Sequence, residues 1–304
     1  KYWKELGTTD DYNVYIDTDS IYMMAEPLVK HRYPEYKTFD EKRMAVEVDN
    51  IATETQTFLN SFYDLLAERF FFIPKDKHRF EIKKEYISKA GFWVAKKRYA
   101  QWMILKNGIP CDKLDVKGLD VVRSSFPKAF QKFMSTMLKD ILMGKDNEYI
   151  DDTLLTFKKS LPTLPVNTIA KGGALKELSK YDNGSWKTGD AVANFEKGTP
   201  AHVKAGITYN RLLKFFNCPY KHEPIRDGDK VKWVYLKDNP LGLETVAFKD
   251  YNDPKEIMDF VETYVDRNKI FEAELENKLD DFYNALKWDK VTADTKTAKK
   301  FFAF

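Results

Sequence analysis

Long apolar runs are missing from this chain of 304 residues. No stretch approaches the roughly 18 to 20 residues that a membrane-crossing helix needs, and the N-terminus lacks the apolar core of a secretory signal. The expectation is a cytoplasmic protein without a membrane partner. Cysteine is nearly absent as well: Cys111 and Cys218 lie far apart and form neither a metal nor a redox spacing. That usage fits a reducing compartment and excludes a disulfide framework. There is no internal repeat and no low-complexity block. The chain opens on Lys1 rather than on Met, which suggests that a beginning is missing. What is present is the composition of an ordinary globular protein, 43% hydrophobic and 32% charged, rich enough in apolar residues for two or more domains with a sizeable core.

Charge of one sign is also scarce overall, with 50 basic and 47 acidic residues and a net charge of +3. The excess is concentrated rather than spread. Residues 81 to 98, "EIKKEYISKAGFWVAKKR", carry six basic and two acidic side chains, a local +4 that leaves −1 for the remainder. A solvated strand face and a phosphate-binding face are both compatible with such a run.

Hydrophobic periodicity gives a coarse architecture. Val14 to Met24 alternates like a strand, or like two strands joined by a turn at its acids. From Glu41 to Phe72 the positions Ile51, Phe58, Leu59, Phe62, Leu65 and Leu66 recur at three and four, which predicts a long helix packing one face on a core. Residues 79 to 87 and 91 to 105 alternate as strands. The Asn-Gly pair of "KNGIP" then predicts a tight hairpin to a return strand over 111 to 118. After residue 120 the pattern turns helical. Ser124 or Ser125 is the expected cap of a helix opened by Pro127, with Phe130, Phe133, Met134, Met137, Leu138, Ile141 and Leu142 on one stripe and Gly144 as its stop. Further helices are expected at 146 to 160 and 254 to 287, with an irregular region over 162 to 242 between them. The fold class is α+β, an antiparallel sheet backed by helices followed by a mainly α-helical domain.

The chemistry-bearing feature is "YNVYIDTDSIYMMAE" at residues 12 to 26, which sets Asp17 and Asp19 inside an apolar, β-branched run. Residues two apart on a strand share a face, so the two carboxylates lie side by side unless a turn intervenes. Ionised carboxylates that close call for a shared proton, a cationic partner or a metal ion. Mg²⁺ suits the donor type, because it takes oxygen ligands and commonly keeps sites for substrate phosphates. A solvated turn with both acids in water is the competing reading.

"YIDTDS" resembles motif C of the family B DNA polymerases, and "KKRY" at 96 to 99 resembles the signature that follows it there. "VKGLDVVRSSFPKA" is similar to the segment that leads from palm to thumb in that family. "HVKAGITYNRLLK" and the aromatic C-terminus are similar to the thumb and tail of the replicative polymerases of T-even-type tailed phages. The resemblance implies the C-terminal part of a palm over residues 1–119, a thumb over 120–290 and a clamp-binding tail over 291–304. It implies DNA-directed DNA polymerase activity in the cytoplasm of a bacterial host, with primer–template DNA and deoxynucleoside triphosphates as substrates and two Mg²⁺ ions.

Carried over by position, the resemblance makes Asp19 the chief metal-holding carboxylate, Asp17 its weaker neighbour, and Glu85 of "KKEYI" a third acid near the metals. Lys96, Lys97, Arg98 and Tyr99 would face the primer–template duplex. Lys117, Arg123 and Lys128 flank the palm–thumb junction in sequence, and Lys204, Tyr209 and Asn210 would contact product duplex. His202 reads as a structural histidine, since no second ligand stands at metal spacing. Phe301, Phe302 and Phe304 would dock into the hydrophobic pocket of a sliding clamp, folding back on the thumb being the alternative. Two departures stand out. Ile16 replaces the small residue that often precedes the first aspartate, and the chain has no copy of the other palm aspartate motif, of the fingers or of an exonuclease domain. The expectation is a fragment, or a polymerase split just before this motif, completed by an N-terminal polymerase half. A non-catalytic module that binds duplex DNA and tethers it to a clamp is the rival.

Overall fold

The computed structural model describes residues 2–74, 76–182, 195, 198–218 and 221–289. The chain divides into two compact units, residues 1–117 and 118–304.

The first unit runs α1 (Tyr2–Leu6), β1 (Asn13–Asp17), β2 (Ser20–Met23), α2 (Glu26–Arg32), α3 (Glu41–Phe70), β3 (Tyr86–Ala95), β4 (Arg98–Lys106) and β5 (Ile109–Lys117). β1 and β2 pair antiparallel as a two-stranded ribbon, and β3–β4–β5 form an antiparallel meander with β4 in the centre. β4 carries the most buried positions of that sheet, Tyr99, Ala100, Gln101 and Met103. The β4–β5 turn is the one Asn-Gly predicts: Asn107 and Gly108 both take left-handed φ, +50° and +75°. Asp40 caps α3 by accepting the Arg43 N–H at 2.7 Å. Arg32 then ties three helices together through Glu5 of α1 (2.6 Å) and Glu54 of α3 (2.9 Å).

Three expectations for this unit change. The stripe of α3 is buried only at its N-terminal end, where Ile51 packs with Ala25, Leu28 and Val29. Phe58, Phe62 and Leu65 are exposed (55%, 48% and 39%), while the opposite side of the far half, with Asn60, Tyr63 and Ala67, is covered by residues 73 to 82. Residues 79–85 are not a strand: the segment's backbone groups bond to side chains of α3, Ile82 to both amide atoms of Asn60 (2.8 and 3.0 Å) and the Lys84 N–H to Gln56 (2.7 Å). Alternation was present, but a helix rather than a strand satisfies it. The single strand over 91 to 105 is two strands, broken at Lys96 and Lys97, where Lys97 adopts φ +62° without a glycine or asparagine to signal it.

The second unit contains α4 (Lys128–Leu142), α5 (Asn147–Ser160), α6 (Val166–Ile169), β6 (Lys171–Ala174), α7 (Leu178–Tyr181), α8 (Ala201–Phe215), β7 (Lys230–Tyr235), β8 (Thr245–Phe248), α9 (Lys255–Tyr264), α10 (Arg267–Phe271), a π-helical turn (Glu272–Glu276) and α11 (Asn277–Leu286). The α4 stripe is core as its period requires, with Phe130, Phe133, Met134, Met137 and Leu138 buried and Gly144 turning the chain at φ +79°. Neither Ser124 nor Ser125 caps it. Pro127 holds the cap position without a side-chain bond, and the Ser125 carbonyl instead accepts the Gly172 N–H of β6 at 2.9 Å. The described residues of 162 to 242 are not all irregular: they include β6, α8 and β7, and β6 and β7 join β8 in an antiparallel sheet. Helix α8 is buried on nearly every side, so its sequence lacks the one-sided period that announces a surface helix. Gly206 sits at its closest approach, where an added Cβ would meet Leu175 at 2.4 Å. The run expected over 254 to 287 breaks at Val265, which bridges to Leu236 instead of continuing α9.

Phe130, fully enclosed, meets the rings of Phe126, Phe157 and Phe271 at 5.8 to 6.3 Å between centroids. Phe130→Ala is expected to lower the stability of the second unit by about 3 to 5 kcal/mol, read as an earlier midpoint in urea unfolding; a cost below about 1 kcal/mol would contradict this packing.

Candidate functional site

The β1–β2 ribbon turns at its acids. Asp17 ends β1 opposite Ser20, while Thr18 and Asp19 occupy the turn, so the two carboxylates do not share a strand face. Asp17 is held on three sides. Its Oδ1 accepts the Thr18 N–H at 2.9 Å, its Oδ2 accepts the Tyr15 hydroxyl at 3.3 Å, and the Lys97 ammonium stands 3.7 Å from Oδ1. The Thr18 amide above all, then the charge of Lys97, the Tyr15 hydroxyl and the more distant Lys96 charge, hold the Asp17 carboxyl below the usual carboxylate range against some desolvation. Asp19 is exposed. It lines a cleft of about 890 Å³ within the first unit, bounded by β2, α3 and residues 82–91, whose wall also includes Glu85, Phe58 and Leu59.

Glu85 lies just ahead of β3. Its carbonyl accepts the Asn107 N–H at 2.7 Å. Its carboxylate takes a hydrogen bond from Tyr86, which together with burial pushes that phenol up to about 12. Among the described residues, no group of three or more His, Cys, Asp and Glu side chains gathers closely enough to hold a metal ion, so Asp17, Asp19 and Glu85 do not form a three-acid cluster. The donors present are nevertheless of the right kind. They are hard carboxylate oxygens, one of them already facing a cation, and Mg²⁺ commonly takes only one or two carboxylates from a protein beside waters and phosphates.

The basic turn lies beside the acidic one. Lys96 and Lys97 are exposed at its tip, with the Lys97 side chain 66% exposed, and Arg98 opens β4. Tyr99 points the other way from solvent. It is only 7% exposed, its hydroxyl lies 2.7 Å from that of Tyr22, and its ring stacks on Trp93 at 5.9 Å. Burial first, then the bond to Tyr22, raises its phenol well above the ordinary range. Tyr15 and Tyr22 complete a four-ring cluster between the turns, their centroids 5.7 Å apart and that of Tyr15 5.9 Å from Tyr99. The sequence reading missed Tyr15, Tyr22 and Trp93 as site residues. A signal existed for two of them: once a turn is placed at Thr18–Asp19, Tyr15 and Tyr22 fall directly across from each other.

The remaining candidates are scattered. Lys117 ends β5, 3.6 Å from Asp115, and stays largely exposed. In the second unit, Arg123 pairs with Asp120 at 3.0 Å with most of its side chain in solvent, and Lys128 is the exposed first residue of α4. Lys204 bonds to Glu244 at 3.0 Å. Tyr209 is fully enclosed at 1% exposure, and Asn210 clasps the Ile225 backbone through both amide atoms at 2.7 and 2.8 Å. His202 is half-buried and shifted down by burial and by Lys171, a structural position. Phe301, Phe302 and Phe304 lie outside the described residues.

Comparison with known proteins follows the same lines. The profile of "DNA polymerase family B" matches residues 73–279. The chain is 26% identical over 293 residues to the DNA-directed DNA polymerase of Enterobacteria phage T4, covering 88% of this chain and 30% of that protein. It is 26% identical over 290 residues to the DNA-directed DNA polymerase of Escherichia phage RB69, covering 91% of this chain and 30% of that one. It thus spans less than a third of the length of these relatives. Among the described residues, no helix is long and apolar enough to cross a membrane.

Because its native carboxyl is depressed, Asp17 stays ionised as pH falls through the ordinary aspartate range; its charge-dependent contacts are present above that range and are lost only as pH drops through the lower, native value. Lys97→Met is expected to move the Asp17 midpoint upward part of the way, since the Thr18 amide remains, in an NMR titration of side-chain carboxyl carbons. An unmoved midpoint would remove Lys97 from the causes.

Proposed function

The chain belongs to DNA polymerase family B, and from that premise we propose that it is the C-terminal part of a DNA-directed DNA polymerase: palm residues 1–119, a thumb over 120–290 and a tail that binds a sliding clamp. The supporting observation is the pairing, within one unit, of a carboxylate turn and a basic turn whose charges approach to 3.7 Å. Template-directed extension needs such a pair, because acids must hold a cation where cations must also hold phosphate.

Asp19, open to the cleft, would be the principal ligand of Mg²⁺, and Asp17, ionised and oriented before any metal arrives, the second. Mg²⁺ held there supplies Lewis-acid activation of the primer 3′-hydroxyl and neutralises charge on the incoming deoxynucleoside triphosphate. Glu85, on the wall of the same cleft, would attract the ions without completing their shell. Lys96, Lys97 and Arg98 grip primer–template phosphates, and Tyr99 supports them from beneath through the ring cluster. Lys117 in the first unit, and Arg123, Lys128 and Lys204 in the second, would each add phosphate contacts, while Tyr209 and Asn210 fix α8 and its neighbouring loop. Phosphate contacts carry no base preference, as replication of any sequence requires.

The N-terminal half of the polymerase would bring the other palm aspartate and the fingers. Its proposed seat is apolar. Phe58, Phe62, Phe70, Phe71, Phe72 and Phe80 are 48 to 85% exposed on the first unit, far more than a self-sufficient surface ordinarily shows in one region. A second reading, a non-catalytic duplex-binding and clamp-tethering module in a bacterial cytoplasm, is favoured by one observation, the lack of a three-acid cluster among the described residues.

Primer extension after mixing with an N-terminal half separates the two readings. Asp19→Asn is expected to lower Mg²⁺-dependent extension by at least ~100-fold, several kcal/mol of charge stabilisation, while duplex affinity stays within about twofold; undiminished extension would sink the catalytic reading. For the grip, Lys96→Ala combined with Arg98→Ala should flatten the slope of log affinity against log salt by about 0.9 for each phosphate contact removed. An unchanged slope would place those side chains off the duplex.

A further inference from the structure

We infer that Tyr15 is a positioning residue that couples the basic turn to the acidic one, fixing the Lys97 backbone and the Asp17 carboxylate through a single hydroxyl. The inference rests on the function proposed above and adds a residue to it. The Tyr15 Oη accepts the Lys97 N–H at 3.1 Å and donates to Asp17 Oδ2 at 3.3 Å. Only one assignment of the proton is possible. An amide can only donate, so the phenol oxygen must accept from Lys97, and its own hydrogen is then committed to the carboxylate, which can only accept. The result is a short directed chain from the backbone of one turn to the acid of the other.

The geometry of Lys97 gives this chain something to hold. Its φ of +62° is a left-handed conformation that a lysine rarely adopts and that persists only where surrounding contacts impose it. The two-residue turn closed by Ala95 and Arg98 calls for it, and two contacts reach Lys97 from β1, the Tyr15 hydroxyl on its amide and Asp17 on its ammonium, which differ in strength. The ammonium is 3.7 Å from Asp17 on a side chain that is 66% exposed, so an arriving phosphate can draw it away. The amide bond is independent of that exchange. Once Lys97 leaves for phosphate, Asp17 loses its counter-ion and becomes free for a divalent cation, yet Tyr15 and the Thr18 amide keep it aimed. Engagement of the duplex and readiness of the acid are thereby linked through the protein itself.

The ring of Tyr15 is packed at 5.7 Å from Tyr22 and 5.9 Å from Tyr99, so Tyr15→Phe removes the hydroxyl and leaves the packing in place. In the metal-free chain, amide hydrogen exchange at Lys97 followed by NMR should quicken by about tenfold or more in Tyr15→Phe, the effect expected when one hydrogen bond that holds an amide is lost. Tyr22→Phe, which breaks the neighbouring hydroxyl pair with Tyr99 but touches neither turn, should leave Lys97 exchange unaltered. In the polymerase completed by its N-terminal half, Tyr15→Phe should raise the Mg²⁺ concentration for half-maximal primer extension several-fold while duplex affinity stays unchanged. Equal exchange in wild type and Tyr15→Phe, or an equal effect of Tyr22→Phe, would overturn the coupling, as would an unmoved Mg²⁺ midpoint. A completed wild-type complex that fails to extend primers would instead overturn the proposed function, and the exchange measurement would still decide whether Tyr15 joins the two turns.

Discussion

Two carboxylates two residues apart cannot both stay ionised at close range without a cation, a shared proton or a change of backbone direction. The acidic ribbon uses the first and the last of these. The turn at Thr18–Asp19 separates the acids, sending Asp19 toward the cleft and leaving Asp17 facing Lys97. Much of the first unit's local structure answers to that arrangement. Lys97 must project toward β1, which requires a tight turn between β3 and β4, and the left-handed backbone there is braced by Tyr15. The four-ring cluster fills the space between the two turns, burying Tyr99 rather than presenting it to solvent. The acid of one turn and the base of the other are thus parts of one packed object.

How far this was legible in the sequence varies with the kind of signal. The start of α3, the end of α4 and the Asn107–Gly108 turn follow from local chemistry, namely a capping aspartate, a glycine stop and residues that tolerate positive φ, whereas the pattern at the acids fits one strand or two and the serines before α4 do not cap it. The turn at Lys96–Lys97 has no such residue. It is closed by the pairing of β3 with β4, where Ala95 stands opposite Arg98, and Tyr15 of β1, 82 residues away along the chain, adds a bond to the Lys97 amide that no window of sequence contains. Residues 79–85 show the converse failure: their alternation is real, but Asn60 and Gln56 of α3 occupy the place of a neighbouring strand. Helix α8 was hidden because its buried positions mix Gly206, Thr208 and Arg211 with apolar residues, which blurs any apolar period. Of the candidate site, the identity of the acids and bases could be read from their pattern, whereas the inward direction of Tyr99 and Tyr209 depends on which elements cover them.

The two units differ in how completely they close over their own apolar surface, and the difference bears on the electrostatics of the site. In the second unit, the stripe of α4, Ile257 and Val261 of α9, nine positions of α8 and the apolar residues Ile270, Phe271, Leu279 and Phe282 of α10 and α11 are buried. In the first, α3 is 30 residues long but anchors a compact core only through Ile51 and its partners, and its far half presents aromatic rings to solvent. Phe58 and Leu59, on that half, form part of the same cleft wall as Asp19. An exposed ring and an exposed acid thus border one cleft. An ion pair at 3.7 Å is weak while its ammonium is 66% exposed, but its attraction grows several-fold as the effective dielectric constant falls from that of water to that of a protein surface layer. Loss of water around a carboxylate raises the cost of leaving it ionised and alone, and raises in the same proportion the attraction of any cation beside it.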